Sequence, residues 1–265
     1  MDLFPEMSAK APAHSAGKNP PAEPALEAGI FLVDKPVGPS SFRMVQLVRR
    51  ALSIKKVGHA GTLDPFASGL LIICVARPAT RLISQFMDGH KQYEAVLRLG
   101  VETTTQDLEG EVVAQKEVAP FAREEVEHCL AGFLGEQLQT PPQYSALKHL
   151  GKPLYHYARR GIVIEKAPRA ITIFRLELLE TGPESLRILV ECSKGTYIRT
   201  LAADIGRVLG CGAHLVALRR LQSGPFSVAN AVDGAILQDP VLARDELLAR
   251  ALTVEEVLEM LSLTE

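Results

Sequence analysis

The hydrophobic pattern changes period along the chain, and each change marks an element. Residues 29–34 (Gly-Ile-Phe-Leu-Val-Asp) form a short apolar run that reads as a strand. Residues 35–41 hold two prolines and a glycine and read as a loop, with a serine at its end placed to cap the next helix. Over residues 42–52, Val45, Leu47 and Val48 fall near one face and Arg43, Arg49 and Arg50 mainly elsewhere, which predicts a helix. Residues 69–76 are continuously apolar, the mark of a buried strand. Pro78 suits the first turn of a helix running to about Met87. Tyr93, Ala95, Leu97 and Leu99 then alternate with Gln92, Glu94, Val96 and Arg98, a strand pattern.

The second half continues in the same mixed way. Residues 103–110 read as a polar, acidic turn and residues 123–133 as an amphipathic helix. Pro141 and Pro142 forbid regular helix at the start of the next stretch. Residues 153–160 predict a short helix ended by Gly161. Residues 170–179 and 186–192 read as strands. Residues 197–209 read as a helix with Ile198, Leu201, Ile205 and Val208 on its core face, and residues 214–221 as a returning strand. Residues 239–263 look like one or two acidic helices. Strands and helices mix without a βαβ rhythm, so the expected class is α+β with a mixed, largely antiparallel sheet.

Composition narrows the class. A chain of 265 residues with 47% hydrophobic content can bury a sizeable core. No apolar run approaches membrane-spanning length, which predicts a soluble protein. Residues 1–28 are rich in Pro, Ala, Gly and Ser and lack the apolar region of a secretory signal; they read as a disordered tail. Cys74, Cys129, Cys192 and Cys211 are scattered, as suits reduced thiols in the cytoplasm, and form no C-x-x-C pair of the kind that binds zinc. The net charge of -2 conceals a strong pattern. Residues 30–100 carry 10 Lys and Arg against 4 Asp and Glu, and residues 143–222 carry 13 against 6. Residues 101–142 carry 2 against 9, and residues 223–265 carry 2 against 8. The two basic blocks hold the Gly- and Tyr-containing motifs, which suits a polyanion site; ordinary solvated surface fits the charges equally well.

The densest motif is Gly58-His59-Ala60-Gly61-Thr62-Leu63-Asp64-Pro65. Its glycines permit positive φ or close approach, and Pro65 keeps Asp64 out of a helix. A lone Asp before Pro is more often a turn residue than a catalyst, but this one shares a loop with His59 and abuts a buried strand. Lys91-Gln92-Tyr93 sets an aromatic beside a cation, either a core tyrosine or a platform for stacking a base. Ser193-Lys194-Gly195-Thr196-Tyr197-Ile198-Arg199-Thr200 sets Lys194, Tyr197 and Arg199 at a helix N-terminus, where anions are favoured. Arg199 reads equally as an ion-pair partner, and if the partner is Asp64 the two readings merge. No dinucleotide, P-loop, H-E-x-x-H or G-x-S-x-G pattern is present, so an enzyme here would work with side chains.

These residues resemble the pseudouridine synthases of the tRNA pseudouridine synthase B type. The Gly58–Pro65 motif with Ser68-Gly69 matches the family's catalytic motif. Supporting matches are Asp34 to Ser41, Lys91-Gln92-Tyr93, Pro142 to Lys148, Cys192 to Thr200, Cys211-Gly212-Ala213-His214-Leu215 and Leu218-Arg219-Arg220, in the family's order over residues 29–226. The resemblance implies the pseudouridine synthase fold and isomerisation of the T-arm uridine (tRNA position 55), without cofactor or metal, by a cytoplasmic monomer whose partner is tRNA. It implies that Asp64 is the catalytic carboxylate, that Tyr93 stacks on the flipped uracil and assists proton movement, and that Arg199 pairs with Asp64. Tyr197 and Leu218 would line the pocket, His59 would fill the place the base leaves, and Lys35 would support the site. The carboxylate's target, ribose or base, stays open.

Two departures stand out. Cys74 to Arg81 has one residue more than the family's usual Gly-containing turn, which predicts an altered turn. After Phe226 only an acidic segment, residues 227–265, follows where the typical bacterial enzyme continues into an RNA-binding PUA module. The expected organisation is therefore a tail (1–28), a catalytic domain (29–226) and a short acidic helical segment without a PUA domain. A tRNA-folding factor and an RNA-guided synthase of the dyskerin type are the competing readings.

Overall fold

A computed structural model describes residues 28–263; nearly all of the tail expected to be disordered lies outside the described residues. The first half runs β1 (Gly29–Lys35), α1 (Ser41–Leu52), β2 (Val57–Ala60), β3 (Ser68–Val75), a 3-10 turn (Ala79–Arg81) and α2 (Ile83–Phe86). Next come β4 (Lys91–Leu99), β5 (Val101–Thr103), β6 (Val112–Gln115), α3 (Arg123–Ala131) and β7 (Gly135–Gln139). After them lie β8 (Lys148–His149), β9 (Lys152–Pro153), α4 (Leu154–Ala158), β10 (Arg169–Gly182), β11 (Ser185–Cys192) and α5 (Ile198–Val208). The chain closes with β12 (Ala213–Ser223), β13 (Phe226–Ser227), β14 (Val232–Asp233), α6 (Pro240–Ala249) and α7 (Val254–Ser262).

One sheet organises the molecule, in the order β14-β1-β3-β12-β4-β11-β10-β7. The β1–β14 and β3–β12 pairs are parallel and the others antiparallel. The expected mixed, largely antiparallel sheet flanked by helices is therefore observed. Burial explains why. Along β1 and β3, alternate residues face opposite cores: Phe31, Val33, Leu71 and Ile73 meet α1 and α6, while Ile30, Leu32, Leu70 and Ile72 meet Phe86, Phe226 and Val257. Both faces of β3 are covered, so its sequence is apolar throughout. In β4 only Tyr93, Ala95, Leu97 and Leu99 enter a core, shared with α3 and α5.

Ser40 caps α1, its side chain accepting from the Arg43 amide. The segment after β3 departs from the single helix expected to about Met87. It divides into a 3-10 turn and a short α2, with Ala76 at φ 59 and a cis Arg77–Pro78 bond, and Ile83 packs on Gly58 so closely that a Cβ there would lie 2.9 Å from its Cδ1. Val208, expected on the core face of α5, is 65% exposed, and at this end of the helix Leu209 packs against the core instead. In α6, Ala243 and Leu247 join the α1 core; in α7, Val257 joins the core on the other side of the sheet.

The site's position derives from a feature of β3. Its edge away from β1 is shared: β2 pairs with Ile72 to Val75, and β12 with Ser68 and Gly69. The chain leaves β2 and re-enters β3 across this junction, so the connecting loop emerges where two half-sheets meet.

Candidate active site

The Gly58–Pro65 motif is part strand and part loop. His59 lies on β2, opposite Ile73, and only the residues beyond Ala60 form the loop. Gly61 turns the chain with φ +73, a conformation that favours glycine. Two clamps hold the loop from Leu63 to Pro65. The buried Ser41 hydroxyl donates to the Leu63 carbonyl, and the Leu63 amide donates back to the same oxygen, both at 2.9 Å. Lys35 is fully buried, and its Nζ donates to the carbonyls of Pro36 (2.9 Å), Pro39 (2.7 Å) and Pro65 (3.3 Å). Burial lowers the Lys35 pKa to about 8, and the Asp64 charge opposes the fall. Asp34 anchors β1 to β12 by accepting two hydrogen bonds from Arg219, at 2.9 and 2.7 Å.

Thus braced, Asp64 keeps its side chain 37% exposed and places Oδ2 3.1 Å from Arg199 Nε. Arg199 is the second residue of α5 and only 7% exposed. It uses its remaining edges fully. Nη1 donates to Asp107 Oδ2 (3.0 Å) and the Thr105 carbonyl (3.1 Å), and Nη2 to the Tyr144 carbonyl (2.7 Å). Burial pushes the Asp64 pKa above its ordinary value; Arg199 and Lys35 pull it down, and Asp107 pushes it up.

Tyr93 is buried in the core that holds Leu63, Phe66 and Ala67 of the loop, and burial raises its phenol pKa. The His59 ring places Nδ1 3.3 Å from the Gly61 carbonyl, a contact made by the Nδ1–H tautomer. Burial lowers its pKa, so the ring is neutral at pH 7. Tyr197 caps α5 and is half-buried; its amide donates to Gln139 Oε1 (2.8 Å), and Gln139 Nε2 donates to its carbonyl (3.1 Å). Leu218, on β12 opposite Ala95, packs at the rim of the same core.

Two basic residues do not belong to the cluster. Lys194 pairs with the exposed Asp88 at 2.7 Å. Lys91 is buried and donates to the carbonyls of Met87 and Gly89, so it is not a free cation beside Tyr93. Sequence reasoning missed Asp107 and Gln139. Asp107 sits in the turn read only as acidic. It is 2% exposed, and its Oδ1 accepts from the Glu109 amide and the Thr105 hydroxyl. The threonines that precede it were the one available signal.

Beside β2, a groove of about 450 Å³ is lined by Arg49, Lys55, Lys56, Arg77, Thr80 and Arg81, with Val57 and Gly58 at its floor. Five of the ten cations of the first basic block thus gather on one surface beside the strand that carries His59. Among the described residues no His, Cys, Asp and Glu side chains gather into a metal-binding group, and no helix is long and apolar enough to cross a membrane.

The arrangement offers a partly exposed, ionisable carboxylate, a buried cation fixing it, an aromatic ring in the core beside it and a basic surface nearby. Comparison with known proteins agrees. Residues 49–198 match the model of the TruB family pseudouridylate synthase N-terminal domain, and residues 199–259 that of the tRNA pseudouridylate synthase B C-terminal domain. The chain is 56% identical over 245 residues to a tRNA pseudouridine synthase B from Desulfotalea psychrophila, covering 90% of this chain and 99% of that protein. It is 47% identical over 230 residues to one from Francisella philomiragia, covering 86% and 75%. Among solved structures it is similar to a chain of a Cbf5-Nop10-Gar1 complex, with a TM-score of 0.69 and 26% identity, covering 89% of this chain and 63% of that one.

Proposed function

Because this chain belongs to the TruB family of pseudouridylate synthases, we propose that it isomerises uridine to pseudouridine in the T-arm of tRNA, at position 55, with Asp64 as the catalytic carboxylate. The observation that carries the reading is the Asp64–Arg199 ion pair, which joins two motifs 135 positions apart and leaves the carboxylate partly exposed.

The reaction breaks an N-glycosidic bond, turns the uracil and makes a C–C bond. The base must first leave its stack, at a cost of about a few kcal/mol. A neutral His59 ring at the end of β2 is suited to fill the vacated space, and Tyr93 with Leu218 and Tyr197 to hold the flipped uracil. The groove of Arg49, Lys55, Lys56, Arg77 and Arg81 suits the phosphates of the same strand. Arg199 keeps Asp64 oriented and favours its ionised form, in which it serves as nucleophile or stabilises charge at the sugar. Lys35 acts through the loop, by holding the Pro65 carbonyl. Residues 29–226 carry this chemistry, in a cytoplasmic monomer.

Tritium release from T-arm RNA labelled at uracil C5 tests the assignment, since that carbon must lose its hydrogen to bond the sugar. Release is expected from the wild type without any guide RNA, and essentially none from Asp64→Asn. Activity surviving that substitution would falsify the role of Asp64. Activity only with an added guide RNA would favour the competing reading of an RNA-guided synthase.

A further inference from the structure

Arg220 is a buried cation that the reaction as described leaves idle. It lies on β12, 2% exposed, and its Cα is the register partner of Tyr93 on β4 and of Gly69 on β3. Residues directly opposite on neighbouring strands carry their side chains on the same face, so Arg220 shares a face with Tyr93. Its Nε donates to the Leu70 carbonyl at 2.7 Å. Its Nη1 lies beneath the loop turn, where a Cβ at Gly61 would come within 3.1 Å of it. Its Nη2 is buried and has no hydrogen-bond partner among the described residues. No carboxylate among the described residues pairs with it, although a desolvated charge is costly unless paired.

The groups facing the phenol identify what the cation is for. From β12 comes Arg220, from β11 Cys192 and from the loop Asp64; His59 on β2 and Lys91 on β4 feel the same guanidinium. Burial, Cys192 and Asp64 hold the phenol protonated, and the Arg220 charge is the largest influence against them.

We propose that Arg220 is a positioning residue for the isomerisation: pinned beneath the Gly61 turn, its guanidinium fixes the Tyr93 ring and serves as counter-ion to the Tyr93 phenolate. This rests on the reading of Tyr93 as the group that receives the C5 proton. When C5 has bonded to the sugar it still carries its hydrogen. Tyr93 first gives its own proton to water, a loss that burial opposes and the Arg220 charge favours; the phenolate then takes the C5 proton, and the C5–H electron pair restores the C5=C6 double bond. The electrons of the C6=N1 bond move to N1, which takes from water the proton that Tyr93 released there, and Tyr93 ends as the phenol it began as. The product is an isomer of the substrate, with no oxidant or reductant involved.

Spectrophotometric titration of the 5 tyrosines tests the proposal without RNA. The Tyr93 step, identified by its loss in Tyr93→Phe, is expected at lower pH in the wild type than in Arg220→Gln. Single-turnover tritium release is expected to fall about tenfold or more in Arg220→Gln at unchanged RNA affinity, to recover as pH rises, and to fall no further in the Tyr93→Phe background. An Arg220→Gln protein that folds, yet titrates and reacts as the wild type does, overturns the proposal. So do additive losses in the double variant. Should Arg220→Gln fail to fold, Arg220→Lys replaces it: a smaller loss is expected, absent beside Tyr93→Phe, and a loss persisting there overturns the idea. A wild type that releases no tritium would sink the proposed function instead, and the phenol titration would still judge Arg220.

Discussion

Asp64 and Asp107 are held on two edges of one guanidinium, 3.1 Å from Arg199 Nε and 3.0 Å from its Nη1. The more exposed carboxylate, Asp64, is the proposed reactant, and the buried Asp107 holds the cation that orients it. Asp107 also pushes the Asp64 pKa upward by like-charge repulsion. Asp107→Asn is therefore expected to do two separable things. Turnover should drop by about 10- to 100-fold with KM little changed, because Arg199 loses its buried counter-ion. The acid limb of the pH–rate profile should move to lower pH, because the repulsion that raises the Asp64 pKa is gone. A pH series of single-turnover rates reads both, and an acid limb that moves up contradicts this account.

Lys35 organises backbone. Replacing it with methionine keeps the bulk of the chain but leaves the carbonyls of Pro36, Pro39 and Pro65 without their common donor. Lys35→Met is expected to lose about 3 kcal/mol of stability in urea unfolding. Turnover should fall through displacement of the Pro65 carbonyl. Unaltered stability would mean that water replaces the ammonium.

The buried lysines and cysteines make stability depend on alkaline pH with opposite signs. The pKa of both Lys35 and Lys91 falls to about 8 in the folded protein, below the ordinary 10.5. Above pH 8 the unfolded chain holds protons that the native state has released, so these groups make stability rise with pH until about 10.5. Cys74 is pushed up to about 12 and Cys192 to about 11, from 9.0. Above pH 9 the native state keeps protons that the unfolded chain has lost, so the thiols make stability fall. Chemical denaturation across pH 7.5–10.5, a range of about three units set by these values, should show a rise from about pH 8 to 9 and then a plateau or decline. Lys35→Met should weaken the rise.

Gly69 has φ +101, and a Cβ there would lie 2.3 Å from the Arg220 carbonyl oxygen and 2.6 Å from its nitrogen. Backbone cannot yield as a side-chain tip can. Gly69→Ala is expected to cost about 4 kcal/mol or more, or to prevent folding. Thermal unfolding beside Gly151→Ala, a site that also has positive φ but nothing within 4 Å, isolates the packing part of the loss.

Much of this was legible in the sequence because it is written locally. The unbroken apolar run of β3 announced a strand covered on both faces, and the alternation in β4 announced one covered face. Asp64 and Arg199 stood out through unusual neighbours, proline and glycine, whereas Lys35 came only with the family resemblance. Asp107 did not, because it is one of 9 acidic residues between 101 and 142, and it is α5 and β12, distant in sequence, that meet it. Arg220 was visible as a letter in a basic pair. Its neighbour Arg219 reaches Asp34 while Arg220 turns beneath the loop, a difference that comes from strand alternation at a junction no local pattern records. Val208 was misread because both it and Leu209 fit an apolar stripe, and it is Leu209 that turns to the core.

The junction on β3 also bears on how the chain becomes an enzyme. The half-sheets are joined there by two register pairs, Arg219 with Ser68 and Arg220 with Gly69. Asp64 belongs to one half, and its counter-ion Arg199 to the other. A chain that has folded only its first half carries the carboxylate on an incomplete loop, with neither Arg199 nor Tyr93 beside it. Such long-range closure comes late when local contacts form first. On the roles proposed for Asp64 and Arg199, chemical competence is thereby tied to the joining of the two half-sheets.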